Sequence, residues 1–438
     1  MPGGLTAFST LSPPEAGKRY LEGQPDGTTV AVALSGGGDS VGLLSALCDA
    51  PCFRAGRVRL AAITVDHGLR PESAGEAAAM GDLCRALSIP HLVMSWQGEK
   101  PPTGLSEAAR QARYRLLAEG ADRLGANCVA TAHTLDDQLE TVEMRRQRSD
   151  TSPRGLAGIA PAALFFGRLA VHRPFLPVRR AEIRAYLAER KIRWFDDPSN
   201  DNPRYERVRV RQAGQFALDG EAIAIAARRR MELAKAAAEY TDAHARMPLP
   251  LLFALDRPQD DEAGRLALAT LIAIAGGQTH LPGEEQLDRL RQVLETGASS
   301  VSLGRTVVER RKDVLFIGRD QRNLPPLQIP QSGSVEWDGR FRFAHDADPT
   351  MATQSHDWSG EDKDVPPRIA RRARATLPDL SGIGGGELTI SVTPHLALFE
   401  TVLPSFDKPL ADAVCRLSAR PLFPCFLSAG LATFPLNG

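Results

Sequence analysis

The sequence predicts an α/β protein: a parallel sheet covered by helices on both faces, then a helical domain and a small mixed α/β or β-rich C-terminal domain. Three observations carry this prediction. Apolar, β-branched runs alternate with helical patterns as far as about Arg211, as buried parallel strands and their crossover helices do. The first run, Thr28–Leu34, feeds directly into a glycine turn, Ser35–Ser40, and then into a helix. The chain has 438 residues, too many for one ordinary core, so two or three domains follow.

In chain order, "VAVAL" (Val30–Leu34) is an almost uninterrupted apolar run, as in a central strand buried on both faces. Val41, Leu43, Leu44 and Leu47 give the helix Ser40–Asp49 its inward side. Further strand-like runs are Arg59–Val65, His91–Trp96, Asn127–Ala132 and Arg168–Phe175. Helical patterns lie at Glu72–Leu87, Ser106–Leu124, Asp136–Arg148 and Arg180–Lys191. Ligands of such sheets sit beyond the carboxyl ends of the strands, where Ser35, Asp66 and His133 fall. From Gln212 to Gly297 the chain turns Ala-, Leu- and Arg-rich with helical spacing, and "VSLGRTVVERRKDVLFIGRD" reads as a hairpin turning near Lys312 and Asp313. The linker "RNLPPLQIPQSGS" and the polar stretch "TMATQSHDWSGEDKDVPP" interrupt the last part, and "GIGGGE" near Gly382 reads as a loop.

Acids and bases balance at 53 each, so the molecule as a whole does not attract polyanions. Between Arg145 and Arg211, however, 16 Arg and Lys face 7 Asp and Glu, a local excess of 9. That segment suits a phosphate backbone, with solvated helix faces as the plainer reading. Cys48, Cys52, Cys84, Cys128, Cys415 and Cys425 form no C-x-x-C pair and read as small buried hydrophobes in a reducing compartment. With no signal-like start and no apolar stretch of about 18 residues, a cytoplasmic location is expected.

The glycine turn has the chemistry of a phosphate site. Glycines accept positive φ and close ligand approach, and a helix start presents unpaired N–H groups at a positive dipole end. The turn is neither G-x-x-x-x-G-K-[ST] nor G-x-G-x-x-G. Ser35, Ser40 and the amides of Gly36, Gly37 and Gly38 suit a pyrophosphate, and Asp39 suits Mg²⁺. The plainer reading, Ser40 as a helix N-cap, explains only the serine.

In "ITVDHGLRPES", Asp66 is placed for a nucleotide's ribose or base, with His67 and Arg70 as donors; a glycine-capped turn is the alternative. In "ATAHTLDDQLETVE", Thr134 and Asp137 have capping-box spacing. Yet Asp136, Asp137 and Glu140 are more carboxylates than a cap needs. Asp136 and Glu140 share a helix face, at a cost of roughly a few tenths of a kcal/mol unless a cationic substrate or Mg²⁺ compensates. Arg110 and Arg113 share one side of their helix, either as an exposed basic face or as donors to an α-phosphate or an adenylated intermediate. In "WFDDPSNDNPRYERVRVR", Arg207, Arg209 and Arg211 alternate and would share a face in an extended stretch. Trp194 and Tyr205 beside them suit stacking on unpaired bases.

S-G-G-G-D-S matches the pyrophosphate-binding loop of the ATP pyrophosphatases, which split ATP between its α- and β-phosphates. Together with V-D-H-G-L-R, A-H-T-L-D-D-Q-L-E-T, R-G-L-A-G and D-D-P-S-N-D-N-P-R-Y-E-R, in this order, it resembles the bacterial tRNA(Ile)-lysidine synthetases over roughly the first 215 residues. The resemblance implies a Rossmann-like (adenine nucleotide alpha hydrolase-like) PP-loop catalytic domain at 1–215. A mainly helical tRNA-recognition domain ending in a hairpin would follow at 216–325, and a C-terminal tRNA-binding domain at 326–438. It implies ATP, Mg²⁺, free L-lysine and tRNA(Ile) with a CAU anticodon as ligands. ATP adenylates the C2 oxygen of the wobble cytidine, and the lysine ε-amine then expels AMP to leave lysidine. Carried onto this sequence, ATP falls on Ser35–Ser40, Asp66, His67 and His133, and lysine on Asp136, Asp137 and Glu140. Arg110, Arg154, Arg207, Arg209 and Arg211 fall to tRNA, and Asp39, Asp137 and Arg113 to catalysis. Nothing in the residues fixes the oligomeric state, and a homodimer is no more than a working expectation.

Two departures from that family stand out. "VEMRRQRSDTSPRGLAG" is more polar and one residue longer than usual, without an R-G-S-G, and Val208 stands where Asn is expected. The rival readings are a tRNA thiolase sharing the loop, which the missing cysteine pair disfavours, a small-molecule ATP-dependent ligase, and a non-catalytic tRNA- or nucleotide-binding module.

Overall fold

The computed structural model describes residues 10–68, 73–98, 100–148, 152–196, 206–297, 299–328, 333–345, 364–378 and 390–432. The chain forms two compact units, residues 1–230 with 425–438, and residues 231–424.

The first unit runs α1 (Pro13–Glu22), β1 (Thr29–Ala33), α2 (Gly38–Asp49), α3 (Pro51–Arg54), β2 (Arg59–Asp66), α4 (Ser73–Ala86), β3 (His91–Ser95), α5 (Leu105–Leu124) and β4 (Cys128–Ala130). It continues through α6 (Leu135–Gln147), α7 (Pro153–Leu156), β5 (Ala162–Phe165), β6 (Leu169–His172), α8 (Arg180–Glu189) and α9 (Glu206–Ala213). The chain leaves this unit within α10 (Gly220–His244).

Its strands lie in the order β5-β6-β4-β1-β2-β3. All neighbours are parallel except β5, which pairs antiparallel with β6. The single strand expected at Arg168–Phe175 is therefore the second arm of a hairpin, turned at Gly167 (φ +68°). Every residue of β1 is buried, as its apolar run requires. Strand order reverses between β1 and β4, and such a switch point opens a crevice at the carboxyl ends of those strands.

What the sequence pattern leaves out is how tightly α2 is held. A Cβ on Gly42 would lie 2.4 Å from Ile183 Cγ2 of α8, and one on Gly17 of α1 would lie 2.9 Å from the Ala46 carbonyl oxygen. Only a bare backbone lets α1 and α8 approach α2 so closely. The start of α8 is thereby fixed beside the start of α2.

The second unit contains β7 (Ala245–Leu249), β8 (Leu252–Asp256), α11 (Glu262–Ala275), α12 (Glu284–Glu295), β9 (Ser300–Leu303), β10 (Thr306–Arg311) and β11 (Val314–Arg319). After these come β12 (Ser334–Trp337), β13 (Phe341–His345), α13 (Pro367–Arg374), β14 (Ile390–Pro394), α14 (Ala397–Glu400), β15 (Val402–Pro404) and α15 (Lys408–Leu417). The predicted hairpin is present, with its turn at Lys312 and Asp313, inside a larger antiparallel sheet ordered β7-β8-β11-β10-β9. A smaller sheet, β12-β13-β14, carries the C-terminal part. Arg319 and Arg340, both nearly inaccessible, converge on the buried carboxylate of Asp338. Leu249, Leu252, Ala254 and Phe316 form a core with Val365, Ile369 and Ala373, which places α13 against this unit's larger sheet.

The last described element, α16 (Ala429–Ala432), packs on α1. Buried His172 links the two: Tyr20 Oη lies 2.9 Å from its Nδ1, and its Nε2 lies 2.9 Å from the Phe426 carbonyl oxygen. Nε2 carries the proton, since a carbonyl only accepts. All six cysteines are free; Cys425 is exposed, unlike the buried position its type suggests. No described helix is long and apolar enough to cross a membrane.

Burial pushes the pKa of His172 down to about 4. The unfolded imidazole titrates near 6.5, so as pH falls the unfolded chain takes up this proton first. The stability contributed by neutral His172 is complete above about pH 6.5 and is lost between there and about pH 4, by at most roughly 3 kcal/mol. Urea unfolding at about pH 7.5 and about pH 5 is expected to show a steeper loss for the native chain than for His172→Gln; equal slopes would remove His172 as the source.

Candidate active site

The glycine turn occupies the crevice at the switch point. Gly37 caps α2 with no side-chain hydrogen bond, so the first-turn amides of the helix are left for a ligand. Ser40 is not the N-cap. It stands at the third helical position, where its hydroxyl donates to the Gly37 carbonyl (2.9 Å) and accepts from the Ser35 amide (3.2 Å). Ser35 Oγ lies 3.1 Å from Ser40 Oγ, so the two hydroxyls converge.

The turn is clamped from outside by Trp194 and Phe195. The Phe195 amide donates to the Gly36 carbonyl (2.9 Å), and a parallel bridge joins Gly37 to Phe195. Gly36 has φ +85°, and a Cβ there would meet the Phe195 ring at 3.2 Å; one on Gly38 would meet the Trp194 ring at 3.3 Å. Trp194, expected to stack on bases, is instead packed on the loop. A cleft of about 540 Å³ opens here, lined among others by Ser35, Gly38, Asp39, Arg180, Arg184 and Arg211.

Beyond the loop lies the acidic cluster on α6. Thr134 and Asp137 do form the capping box: Asp137 Oδ2 accepts from the Thr134 amide (2.7 Å) and hydroxyl (2.9 Å). That uses one oxygen. Asp137 Oδ1 accepts from Arg180 Nη2 (2.9 Å), and the same guanidinium reaches Asp39 Oδ2 through Nε (3.1 Å) and Glu140 Oε1 through Nη1 (3.3 Å). The Arg180 amide donates to Asp136 Oδ2 (2.7 Å).

Glu140, 1% exposed, also receives Arg211 Nε at 2.7 Å. Arg207 Nε lies 3.0 Å from it, a charge contact that misses hydrogen-bonding geometry. The like-charge cost expected for Asp136 and Glu140 is thus met by the protein's own arginines. Burial raises the carboxyl of Asp137, but Arg180, Arg207, His133 and the Thr134 amide outweigh it and hold the pKa low. At Asp39 the balance is reversed: burial and the nearby Asp137 carboxylate raise its pKa against the pull of Arg180.

The other wall of the crevice holds Asp66, His67 and His133. Asp66 Oδ1 accepts the Gly68 amide (2.8 Å), and the Trp96 amide donates to the Asp66 carbonyl (2.8 Å). His67 stands edge-on to Trp96, and its Nδ1 is buried with no hydrogen-bond partner among the described residues. Burial and then the Arg113 charge lower the pKa of His67. Burial, Arg173 and Arg113 lower that of His133 further, so both rings are neutral near pH 7. The Arg113 charge bears on both histidines. Arg110, exposed, sits 5.1 Å over the Tyr114 ring.

The arginine ladder is helical, not extended. In α9 the four-residue spacing puts Arg207 and Arg211 on the acid cluster, with Arg209 exposed elsewhere on the turn. Val208 is turned inward and 6% exposed, so no side chain at that position is offered to tRNA. Much of the basic segment is also used internally. Arg145 donates to the carbonyls of Gly155 (3.0 Å) and Gly158 (3.1 Å), Arg146 pairs with Glu143, and Arg148 pairs with Glu206. Arg154, partly buried, begins the R-G-L-A-G turn in α7. Arg70, Tyr205, Gly382 and most of D-D-P-S-N-D-N-P-R-Y lie outside the described residues.

Arg180, Arg173, Trp96 and Phe195 escaped the sequence reading. For Arg180 a signal existed: a basic residue at the first position of a helix opposes the dipole and needs a reason.

Residues 15–214 match the PP-loop domain family. The tRNA(Ile)-lysidine synthase of Rhizobium meliloti (strain 1021) is 40% identical over 423 residues, covering 90% of this chain and 92% of that protein. The proteins of the same name from Mesorhizobium japonicum and Brucella anthropi are 37% and 36% identical. They align over 89% and 92% of this chain, and 92% and 97% of their own lengths.

Gly36→Ala should strain the backbone by roughly 1–2 kcal/mol and push Phe195 off the loop. Nucleotide binding, followed by equilibrium dialysis of labelled ATP, is expected to fall at least about tenfold, and unchanged binding would show that the clamp does not shape the phosphate site.

Proposed function

The chain belongs to the tRNA(Ile)-lysidine synthase family and is a lysidine-forming, ATP-dependent ligase, and from that premise we propose which atoms of this site carry the reaction. The observation that supports the assignment best is the guanidinium of Arg180, shared between Asp39 of the phosphate loop and Asp137 and Glu140 of the acidic cluster. That sharing supports a seat for a cation beside a seat for a polyphosphate.

ATP lies with its β- and γ-phosphates on the Ser35 and Ser40 hydroxyls and the first-turn amides of α2. Its nucleoside reaches Asp66 and the partnerless Nδ1 of His67. The C2 oxygen of the wobble cytidine, in tRNA(Ile) bearing CAU, attacks the α-phosphorus, and the bond to pyrophosphate breaks. Arg113 is placed for charge developing on the α-phosphate, and neutral His133 adds a hydrogen-bonding edge without adding charge.

Asp39 fits Mg²⁺. A single carboxylate with phosphate oxygens and water is a donor set that ion accepts, and among the described residues no group of three or more His, Cys, Asp or Glu competes for it. Bound there, the ion would offset negative charge on the polyphosphate.

Free L-lysine brings its ε-ammonium to Asp137 and Glu140, with Asp136 flanking. The amine must shed a proton, from an unperturbed pKa of about 10.4, before its lone pair can attack C2. Asp137 is the acceptor best placed for that proton. The C2–N bond forms, the C2–O bond to AMP breaks, and lysidine remains.

Arg110, Arg154, Arg207, Arg209 and Arg211 are assigned to the tRNA side, with Arg207 and Arg211 also bracing Glu140. Residues 216–325 and 326–438 are assigned to tRNA recognition. The amphipathic α13 supports this, with Ile369 and Ala373 buried and Arg368 and Arg371 exposed.

The purified chain, given ATP, Mg²⁺, labelled lysine and a CAU tRNA(Ile) transcript, is expected to make acid-insoluble label. The same transcript with its wobble C changed to U should give none. Asp137→Asn should reduce lysine transfer by about 10²-fold or more, while ATP–pyrophosphate exchange with tRNA persists. Transfer at the native rate would remove Asp137 from the lysine site.

A further inference from the structure

We infer that Arg180 occupies, in the substrate-free enzyme, the seat that the lysine ammonium later takes, and that bound ATP draws the guanidinium off so that lysine binds second. The inference rests on the reading of Asp137 and Glu140 as the lysine site.

Arg180 commits all three guanidinium nitrogens to carboxylates: Nε to Asp39, Nη2 to Asp137 and Nη1 to Glu140, at 3.1, 2.9 and 3.3 Å. A primary ammonium carries three donors and no acceptor, so it competes for these same lone pairs. Of the four arginines that reach the cluster, Arg180 is the least accessible, its side chain 19% exposed against 40% for Arg179 and Arg207 and 34% for Arg211. It is also the one that touches the phosphate loop.

Removing that side chain alone leaves the four carboxylates in different states. Glu140 keeps Arg211 at 2.7 and 3.3 Å and Arg207 at 3.0 Å. Asp136 keeps the backbone amide of residue 180 at 2.7 Å, which does not move with the guanidinium. Asp39 loses this guanidinium but stays open to the cleft it lines, its side chain 29% exposed. Asp137 keeps Thr134 on Oδ2, but among the described residues its Oδ1 is left with Arg207 alone, at 3.8 Å. A buried carboxylate oxygen without a close partner is costly. Asp137 Oδ1 is therefore where a new cation is required.

The backbone of Arg180 is pinned, by its amide on Asp136 and by the Gly42–Ile183 contact between α2 and α8. The side chain faces the cleft it lines with Arg184 and Arg211. Phosphate oxygens are strong acceptors for a guanidinium, often in bidentate fashion. A polyphosphate on Ser35–Ser40 thus offers Arg180 a competing partner on the Asp39 side. Until it arrives, the apparent affinity for lysine is reduced by the fraction of molecules whose seat is empty.

The test is equilibrium dialysis of labelled lysine against the full chain, with and without α,β-methylene ATP, which cannot release pyrophosphate. The native enzyme should bind lysine roughly tenfold more tightly with the analogue. Arg180→Gln should bind lysine without the analogue about as tightly as the native enzyme does with it, and gain nothing further. Arg180→Lys, charged but unable to span three carboxylates, should show a smaller analogue effect than the native enzyme.

Equal lysine binding by the native enzyme with and without the analogue overturns the inference, whatever the variants do. So does an Arg180→Gln protein, folded by circular dichroism, that binds lysine no better than native in the absence of analogue. Asp137→Asn separates the two levels. If it still binds lysine, the lysine-site reading itself falls; if it loses lysine while Arg180→Gln matches native, only the Arg180 inference falls.

Discussion

Arg180 stands at the first position of α8, where its charge opposes the helix dipole by roughly 0.3–1 kcal/mol, and it stays there because three carboxylates converge on it. Each of those carboxylates would be costly alone. Asp137 and Glu140 are nearly sealed from water, and a buried charge without a partner destabilises far more than a surface ion pair stabilises. The guanidinium meets three of them at once, with a nitrogen for each. It joins the α2 loop to the α6 cluster, and most of the site's geometry depends on that junction.

Packing explains why the junction forms. The bare backbone of Gly42 lets Ile183 close on α2, and that sets the start of α8 within reach of Asp39. On the other side, the chain leaving α8 returns at Trp194 and Phe195 to cover the glycine turn and bond to Gly36. A phosphate loop needs exposed amides and a rigid frame. Here the glycines provide the first, and the aromatic pair with the Ser35–Ser40 hydroxyl contact provides the second.

The arginines of the first unit carry two tasks that composition alone does not separate. Arg145, Arg146 and Arg148 bind carbonyls and carboxylates of their own chain, and Arg207 and Arg211 neutralise Glu140. A local charge excess therefore overstates the surface available to a nucleic acid. In the second unit the same economy appears at Asp338, where Arg319 and Arg340 are buried to satisfy one carboxylate.

By itself the sequence determined the parallel sheet, the phosphate turn at its first strand, the acidic cluster with its capping box, and the family. Those features are local: a period of two or of 3.6, a glycine run between strand and helix, a carboxylate three residues past a threonine. It also placed Asp66 and His133 correctly at strand ends, because topology puts ligands there. Only the tertiary structure decided that β5 and β6 form a hairpin and that Ser40 is not a cap. It likewise decided that Arg207, Arg209 and Arg211 wind into a helix with Val208 inward. Above all it decided that residue 180 meets residues 39, 137 and 140. Those residues are distant in sequence, and ion-pair partners leave no periodic trace; their meeting follows from a helix crossing at Gly42 that one absent side chain permits.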